Sequence, residues 1–419
     1  MKILVLGAGV IGVTTAYALG RQGHEVIVIE KAACVASGAS HANAGQLSFS
    51  YVDPFPNPGI LKKLPGYMLG RDNGIKINQT LRLLYYSWGI EFLRNCTSMR
   101  AEKNLDIMLG LAHRSMEATQ RLSAELPDNT MSKTPSGKLI LAKTQAELEA
   151  LEHSAEKKRR YGFTVEILDR AGCVKKEPTL KTWQGAFCGG GFAKGDGIAD
   201  PLELCRALKT ISIEKFAVEY KFEHSVKSLK TEAGKISGVV TDKGVIDCDA
   251  VIMCLGVDAN KILKTVGQSS NIYPMRGYSL TLPLGKQVPK LSITDPLRKI
   301  VFANFGETIR IAGFLDANVS QEKINMRGDM LLKTAQRLWP EVADYSAQNN
   351  LWAGYRPMTP SGIPIVKPSS VEGLFYNMGH GSLGLTLAAG SADQITKLVW
   401  QSMHKSSRIK REEKHVLVS

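Results

Sequence analysis

The chain has 419 residues, of which 44% are hydrophobic and 22% are charged, and its formal net charge is +14. This length exceeds the ~250–300 residues at which one core stops growing, so we expect two domains and exclude wholesale disorder or a fibrous repeat. Seven scattered cysteines without a C-x-x-C pair argue against a disulfide framework and a structural zinc site. We therefore predict a reducing compartment, the cytoplasm, and no metal.

The first segment of the chain, residues 3–20, is uncharged, and two structures fit it. A basic start, an apolar run and a small-residue A-Y-A site are typical of a secretory signal peptide. The alternative is a buried strand over residues 3–6, a glycine turn, a helix over 10–20 and a second strand over 25–29. We favour this alternative because the glycines have the G-x-G-x-x-G spacing of dinucleotide-binding folds.

Each residue of this motif has a role in holding a dinucleotide. Gly7 allows the tight turn, Gly9 lets the backbone approach a pyrophosphate, and Gly12 lets helix and strand pack closely. The helix N-terminus offers free N–H groups to the same pyrophosphate. Glu30 lies about 20 residues beyond the last glycine, where a carboxylate accepts hydrogen bonds from ribose and disfavours NADP. FAD and NAD remain.

Three further segments precede the middle of the chain. Residues 37–48 are small and polar, and their position after the ribose carboxylate predicts nucleotide contacts; a solvated loop is the alternative. Residues 53–59 are rich in proline and predict a loop between domains or layers. Residues 145–161 predict a charged helix, and its basic end at 157–160 is interpreted as a solvated face and not a nucleic-acid patch.

Residues 77–126 predict helical structure with two apolar stripes. The first stripe is Leu81, Leu84, Tyr85, Trp88 and Phe92, and the second is Leu83, Tyr86, Ile90 and Leu93. A helix buried on two sides explains both stripes. The alternative is a membrane-touching helix flanked by Arg82 and Arg94.

The layout as a whole predicts an α/β fold with a Rossmann-like nucleotide-binding domain and an α+β substrate domain built on a mainly antiparallel sheet. The first domain combines 1–58, 185–262 and 345–405, the second combines 59–184 and 263–344, and residues 406–419 form a basic tail. Ligands bind beyond the carboxyl ends of parallel strands, so we expect the chemistry between the two domains. No other uncharged stretch approaches the ~20 residues of a membrane-spanning helix.

Five blocks carry a resemblance to a known family. They are ILVLGAGVIG (3–12), SHANAGQLS (40–48), YPMRGYSLTLP (273–283), LWAGYRPMTPSGIPIV (351–366) and NMGHGSLGLTLAAGSA (377–392). In this order they resemble the FAD-dependent D-amino-acid-oxidase superfamily, and within it the bacterial D-amino-acid dehydrogenases. The resemblance implies oxidative deamination of D-amino acids to 2-oxo acids and ammonia, with hydride passing from Cα to flavin N5. It also implies a quinone or another acceptor for the electrons.

We predict roles for four side chains within these blocks. Arg356 in GYRPMTP clamps the substrate carboxylate, because guanidinium binds carboxylates through two hydrogen bonds; an ion pair within the protein is the alternative. The Tyr278 hydroxyl faces the same carboxylate or is simply packed. Arg276 holds a strand edge or hinge, or contacts the substrate. His380 stabilises anionic reduced flavin or is a satisfied structural histidine. No dedicated general base is predicted.

The FAD contacts that the motif and the resemblance predict lie in separated parts of the chain. They are Gly7, Gly9, Val10, Ile11, Gly12, Glu30, Lys31, Ser40, His41, Asn43, Ala44, Gly45, Gln46, Val226, Gly256, Gly354, Gly379, Gly381, Ser382, Leu383, Gly384 and Thr386. Relatives with covalent flavin attach it to a cysteine near the C-terminal blocks. The last cysteine here is Cys254, so a non-covalent FAD is expected.

Alternative functions remain open from the sequence. A related flavin enzyme acting on hydroxyproline, glycine, sarcosine or an opine shares these blocks. A tRNA-modifying flavoenzyme needs clustered basic residues, whereas those here are dispersed, so no nucleic-acid partner is predicted. A nucleotide-sensing binding protein needs no arginine aimed at a substrate. The basic tail is a candidate contact with anionic lipid, which gives a peripheral location on the inner face of the cell membrane as a hypothesis.

Overall fold

The structure is a computed structural model that describes residues 1–127, 130, 137–348 and 350–416, with side chains described as far as His404. Within these residues the strands are β1 (Lys2–Leu6), β2 (Glu25–Ile29), β3 (Gln46–Leu47), β4 (Ile75–Ile77), β5 (Lys138–Ala142), β6 (Glu166–Asp169), β7 (Gly189–Ala193), β8 (Gly197–Ile198), β9 (Glu219–Lys221), β10 (Val226–Glu232), β11 (Lys235–Thr241), β12 (Gly244–Asp247), β13 (Ala250–Met253), β14 (Tyr273–Pro283), β15 (Ser292–Asp295), β16 (Ile300–Asn304), β17 (Thr308–Ala317), β18 (Asn350–Met358), β19 (Ile365–Pro368) and β20 (Leu374–Met378). The α-helices are α1 (Val10–Arg21), α2 (Pro58–Met68), α3 (Leu83–Asn95), α4 (Ser98–Ser123), α5 (Gln145–Arg159), α6 (Arg170–Lys176), α7 (Pro201–Phe216), α8 (Ala259–Leu263), α9 (Ile324–Leu338) and α10 (Gly384–Val416).

A six-stranded sheet organises the nucleotide-binding half, in the order β19-β20-β13-β1-β2-β9. Its strands are parallel except for β19, which pairs antiparallel with β20. Alternate residues of β1 face two different cores: Ile3 and Val5 pack with α1, α4, α7 and α10, and Leu4 and Leu6 pack with α8 and the small sheet β10-β11-β12. Burial on both faces explains why these strands are almost continuously apolar.

A nine-stranded sheet organises the other half, with the path β18-β14-β17-β16-β15-β5-β7-β6 and β4 paired beside β17. It is mainly antiparallel, with parallel pairs at β5·β15 and β4·β17. One face packs against α9, where Leu331 and Ala335 join Leu280 in a buried core. The opposite face meets the loop before β3, since the Ser279 hydroxyl donates to the carbonyl of Ala42. The predicted fold class is confirmed.

The structure differs from the predicted domain boundaries in three places. β7 and β18 belong to the large sheet and not to the nucleotide-binding half, because they pair with β5 and β14. The glycines of β7 let the neighbouring strands approach closely. A Cβ on Gly189 would lie 2.3 Å from the carbonyl oxygen of Leu168 in β6. In addition, α4 packs on α10 and shares a buried core with α1 and β1, so part of the predicted substrate segment covers the parallel sheet.

The helix predicted within residues 77–126 is two helices, α3 and α4, and only one stripe of α3 is buried. Trp88 and Phe92 are buried, and the Trp88 indole donates to the carbonyl of Met358 at 2.9 Å. The second stripe is exposed, with Ile90 at 54% and Leu83 at 86% of their accessible surface. The expectation of a helix buried on two sides is therefore wrong.

The prediction that residues 157–160 form a solvated face also needs correction. The helix itself is present as α5. However, the Lys158 side chain is buried, and its ammonium lies 2.7 Å from a carboxylate oxygen of Asp53. Lys157 pairs with Glu102 and Asp106 at 3.2 Å. Two of the four basic residues thus bind neighbouring acids.

Candidate active site

The glycine turn after β1 has the backbone geometry that the motif predicts. Gly7 has φ +100°, a left-handed conformation that favours glycine. A Cβ on Gly12 would lie 1.8 Å from the carbonyl oxygen of Gly7, so only glycine lets α1 approach this closely. Gly9 precedes α1 and supplies no side-chain cap, which leaves first-turn N–H groups for a ligand. The Ser40 hydroxyl accepts from one of them, the N–H of Val10, at 3.0 Å.

Glu30 lies beside this turn at the carboxyl end of β2. Its carboxylate accepts from the N–H groups of Ala8 at 2.8 Å and Ala32 at 2.9 Å. Two hydrogen bonds leave part of its acceptor capacity free for the predicted ribose hydroxyls. Lys31, by contrast, forms an exposed ion pair with Asp258 at 2.6 Å, so its side chain is engaged within the protein.

A cavity of about 680 Å³ lies between the large sheet, the loop before β3 and the start of α10. The predicted residues that line it are Asn43, Ala44, Gly45, Gln46, Tyr278, Gly354, Arg356, Gly379, His380, Gly381, Ser382, Leu383 and Thr386. The predicted residues outside this lining are Gly7, Gly9, Val10, Ile11, Gly12, Glu30, Lys31, Ser40, His41, Val226, Gly256 and Gly384. The structure thus brings the loop before β3, two strands of the large sheet and the start of α10 to one site.

Arg356 extends from β18 along the cavity wall and packs on Gly277 of β14. A Cβ on Gly277 would lie 2.7 Å from Nη2 and 2.8 Å from Cζ of the guanidinium. The guanidinium forms no hydrogen bond or ion pair with any residue that the structure describes. Desolvation lowers the pKa of Arg356 to about 10, partly offset by the carboxylate of Asp316. It therefore stays charged at neutral pH and lacks a counterion.

Sequence reasoning missed Gly277, although a signal for it existed. A glycine inside a strand marks a close approach of another group, and Gly277 stands within RGYSLTLP. Gly354 has a similar role, because a Cβ there would lie 2.0 Å from the ring of Trp352. Gly354 was predicted as a cofactor contact; in this structure its lack of a side chain accommodates that ring.

The predicted role of the Tyr278 hydroxyl is contradicted by the structure. Register pairs Met275 with Arg356, so residues 275 and 277 share the Arg356 face and Tyr278 lies on the opposite one. Its hydroxyl donates to Oδ2 of Asp316 at 2.8 Å, inside the core beneath α9. Desolvation and the adjacent carboxylate raise the pKa of Tyr278, so the hydroxyl stays protonated and bound there.

Arg276 is a structural residue, as one of the two interpretations of the sequence predicts. Its guanidinium is buried and donates to the carbonyls of Val319 and Ser320, at 3.2 and 3.3 Å. It also donates to the side chain of Gln321 and to the Tyr355 hydroxyl. Arg276 therefore fastens the segment after β17 to the edge of the sheet.

His380 lies on the cavity wall in the loop before α10. Its Nε2 is buried and has no hydrogen-bond partner among the described residues, so it is not the satisfied structural histidine of the alternative interpretation. Desolvation lowers its pKa to about 3, which makes the imidazole neutral at physiological pH. The neutral imidazole has an unpaired ring nitrogen that can form a hydrogen bond with a bound ligand. It does not place a positive charge in the site.

Gln46 and Thr386 connect the elements of the site. The Gln46 amide donates to the hydroxyls of Ser292 at 2.6 Å and Thr294 at 3.1 Å on the large sheet. The Thr386 hydroxyl donates to the Gln46 carbonyl at 3.2 Å and accepts from the N–H of Ser48 at 3.0 Å. These contacts hold the loop before β3 between α10 and the sheet, which fixes the shape of the cavity.

Comparison with known proteins gives the family. A family model described as FAD dependent oxidoreductase matches residues 2–398. The chain belongs to that family. It is 35% identical to D-amino acid dehydrogenase 2 of Ralstonia nicotianae over 409 residues, 95% of this chain and 96% of the relative. It is 36% identical to a D-amino acid dehydrogenase of Rhizobium rhizogenes over 412 residues, 97% of each chain.

Solved structures confirm the fold. A glycine oxidase from Bacillus cereus superimposes with a TM-score of 0.70 at 21% identity, covering 96% of this chain and 95% of its own. An L-proline dehydrogenase from P. horikoshii gives 0.68 at 18% identity, covering 95% and 92%. The chain is thus an FAD-dependent oxidoreductase, as the sequence blocks predicted.

The residues present fit FAD. The uncapped first turn of α1 and the carboxylate of Glu30 suit the pyrophosphate and ribose, and the unpaired Nε2 of His380 suits a flavin hydrogen bond. Asn43–Gln46 and the start of α10 form the walls around the expected ring. No cysteine is among the described residues that line the cavity.

The part of the chain that the structure describes has neither a metal-binding cluster nor a membrane-spanning helix. No group of three or more His, Cys, Asp or Glu side chains there is arranged to hold a metal ion. None of the helices there is both long and apolar enough to cross a membrane.

Proposed function

We propose that the protein oxidises D-amino acids to 2-imino acids, which water converts to 2-oxo acids and ammonia. Bound FAD would supply the oxidant by taking the Cα hydrogen with its electron pair, while the amino nitrogen gives up a proton to water. The chain's own residues bind and orient the amino acid so that this hydrogen faces the cofactor. The curated relatives named D-amino acid dehydrogenase support this class of substrate.

The observation that carries the proposal is the unpaired guanidinium of Arg356. A partly buried cation without a counterion is costly for folding, and an amino-acid carboxylate compensates it through two charge-assisted hydrogen bonds. Gly277 leaves the space in which the guanidinium lies. The loop of Asn43–Gln46, where the cofactor ring is expected, lines the same cavity.

Related substrates are the principal alternative. Glycine, sarcosine, hydroxyproline and opines also present a carboxylate next to the oxidised C–N bond, so Arg356 suits all of them. The experiment that separates them is anaerobic mixing of the yellow holoenzyme with a panel of D-amino acids, L-amino acids and these compounds. Bleaching by D-isomers, with little bleaching by L-isomers or the other compounds, supports the proposal. Bleaching by L-isomers or by sarcosine alone contradicts it.

For the electron acceptor we propose a quinone in a membrane that the protein touches through the outer face of α3. This face consists of Leu83, Tyr86, Ile90 and Leu93, with the exposed Leu81 beside it. Arg82 and Arg94 flank it, are exposed and form no ion pair with a described residue. Apolar side chains bordered by free cations suit an anionic bilayer surface. Trp88, on the inner face, bonds to the carbonyl of Met358 at the cavity wall.

Flotation with vesicles tests this contact. The holoenzyme should float with vesicles of phosphatidylglycerol and stay behind with phosphatidylcholine, and L83S/I90S should abolish flotation. Val245→Ser removes an exposed apolar residue from the small sheet and serves as the control. If L83S/I90S floats with the vesicles as well as the wild type does, α3 is not the membrane contact. The predicted tail at 406–419 lies outside the described side chains. A variant truncated before residue 406 measures how much the tail contributes to vesicle binding.

A further inference from the structure

A second polar cluster lies on the cavity wall, away from Arg356, around the ring of Tyr51. The ammonium of Lys138 lies 4.7 Å from the centre of this ring, and that of Lys158 lies 5.3 Å from it. All three side chains line the cavity. The Tyr51 hydroxyl has no hydrogen-bond partner among the described residues, and desolvation raises its pKa, so it remains a donor.

The two lysines differ in how their charge is compensated. Lys158 is neutralised by Asp53, whose carboxylate lies 2.7 Å from the ammonium. Lys138 is 2% exposed, yet no carboxylate of the described residues lies within 4.0 Å of its ammonium. Its one hydrogen bond is to the hydroxyl of Ser48, at 2.8 Å. An ammonium has three donors, so two remain unused.

Asp196 is the carboxylate whose charge acts most strongly on Lys138, but it forms no ion pair with the ammonium. Its two carboxylate oxygens accept from the backbone N–H of Ser50 at 3.0 Å and from the Ser50 hydroxyl at 2.7 Å. Burial lowers the pKa of Lys138 to about 8, with Asp196 opposing that change. The lysine is therefore mostly protonated at neutral pH without a direct counterion.

The acids of the cavity wall do not supply that counterion. Asp53 binds Lys158, and Asp295 binds Arg298 at 2.6 Å. Glu147 accepts from a backbone N–H group at 2.7 Å at the start of α5. None of these three carboxylates forms an ion pair with Lys138 or Arg356.

Among the described bases of the wall, Lys138 is buried and Arg356 is half-buried, and neither forms an ion pair or donates from its side chain to a backbone carbonyl. Lys299 donates to the carbonyl of Pro296 at 2.6 Å, and Lys63 is exposed to water. Arg356 and Lys138 remain, on different walls of one cavity. Buried charges in proteins are normally paired, so an unpaired one on a cavity wall indicates an anionic ligand.

We propose that Lys138 binds a second carboxylate of the substrate, so that the preferred substrates are D-amino acids with an acidic side chain. The α-carboxylate pairs with Arg356, and the side-chain carboxylate accepts from the free donors of Lys138 and from the hydroxyl of Tyr51. This inference rests on the proposed function. It adds which D-amino acids are oxidised and which residue selects them.

The test compares D-glutamate with D-glutamine, which has nearly the same shape without the charge, and with D-methionine. Anaerobic flavin reduction of the holoenzyme gives the limiting rate and the apparent Kd for each. In the wild type, rate over Kd should be at least about tenfold higher for D-glutamate than for D-glutamine, as expected when a charge-assisted hydrogen bond replaces a neutral one. Lys138→Met should bring this ratio near one, mainly through Kd, and change D-methionine less than about threefold.

Three further variants sharpen the result. Lys138→Gln keeps a hydrogen bond to Ser48 without the charge and should behave like Lys138→Met. Lys138→Arg keeps the charge and should retain part of the preference. Lys158→Met is the matched control on the same ring, and it should leave the ratio of D-glutamate to D-glutamine within about threefold, because Asp53 already neutralises this lysine.

Several outcomes would overturn the inference. One is a wild type that does not prefer D-glutamate to D-glutamine. Another is an equal loss for all three substrates in Lys138→Met, which would place the lysine on the cofactor or in the fold. A third is an equal loss of preference in Lys158→Met. If no D-amino acid bleaches the wild-type flavin, the proposed function itself fails, and this inference fails with it.

Discussion

Two arginines on opposite faces of the large sheet show how the same side chain serves structure in one place and binding in another. Arg327 projects from α9 and is fully buried, and its Nε and Nη2 donate to the two carboxylate oxygens of Asp316 at 2.7 and 2.8 Å. Arg356 lies on the cavity face and has no partner among the described residues. An arginine paired with a buried carboxylate stabilises the core, whereas an arginine without a carboxylate partner can bind a ligand. The counter-charge, and not the residue type, separates the two roles.

Breaking the pair of Arg327 with Asp316 should have the largest effect. Arg327→Met leaves the carboxylate of Asp316 buried and uncompensated, which costs about 3–5 kcal/mol of the free energy of unfolding. Chemical denaturation of the holoenzyme measures this loss. Arg337→Met, at an exposed position of the same helix, should change stability by less than about 0.5 kcal/mol. A loss below about 1 kcal/mol for Arg327→Met would contradict a structural role for this pair.

Removing the guanidinium of Arg356 should lower catalytic activity without destabilising the fold. Arg356→Ala should lower kcat/KM for D-amino acids by about 100-fold or more, since a lost charge-assisted pair costs roughly 3 kcal/mol. The flavin absorbance spectrum should stay that of the bound cofactor. Arg356→Lys keeps the charge without the two-pronged geometry and should recover only part of the activity. Unchanged steady-state kinetics in Arg356→Ala would remove this residue from the site.

Displacing the same cation should have an intermediate effect. Gly277→Ala places a Cβ within 2.8 Å of the guanidinium carbon, so Arg356 must shift along the wall. We expect about a tenfold lower kcat/KM, because misplacing a substrate-positioning group costs rate. Gly197→Ala, at a strand position where a Cβ meets nothing within 4 Å, is the control and should retain activity. Full activity in Gly277→Ala would show that the observed packing is not required.

The smallest effect is expected at Tyr278, on the structural face. Tyr278→Phe removes one buried hydrogen bond to Asp316 and should cost about 1 kcal/mol of stability. Because the hydroxyl does not face the cavity, KM for a D-amino acid should change less than about threefold. Thermal denaturation and steady-state kinetics measure the two values. A tenfold rise in KM with unchanged stability would instead favour the predicted contact of this hydroxyl with the substrate carboxylate.

The part of the site that the sequence predicted depends on local backbone geometry. The glycine spacing required a tight turn and close packing of α1, and both are present at Gly7 and Gly12. Glu30 lies beside that turn because a strand–turn–helix–strand unit leaves few places for the end of its second strand. These features follow from contacts between neighbouring segments, which a spacing pattern records.

The part that the sequence did not predict depends on distant pairing. The face on which Tyr278 lies is set by the register of β14 with β18, and its acceptor Asp316 lies on another strand. In the sequence, nothing distinguishes Lys138 from other strand residues, and Lys158 lies in a charged helical segment. Both are buried because they pack against Tyr51. Neither composition nor periodicity reports which charges lack a counterion.

Pairing of the substrate carboxylate with Arg356 is tested most directly by comparing D-leucine with isoamylamine, the same molecule without the carboxylate. Anaerobic flavin reduction by both compounds is measured in the wild type and in Arg356→Ala. We predict that the wild type prefers D-leucine by about 100-fold or more in rate over Kd, and that the variant loses most of this preference while retaining FAD. An undiminished preference for D-leucine in Arg356→Ala would contradict the account.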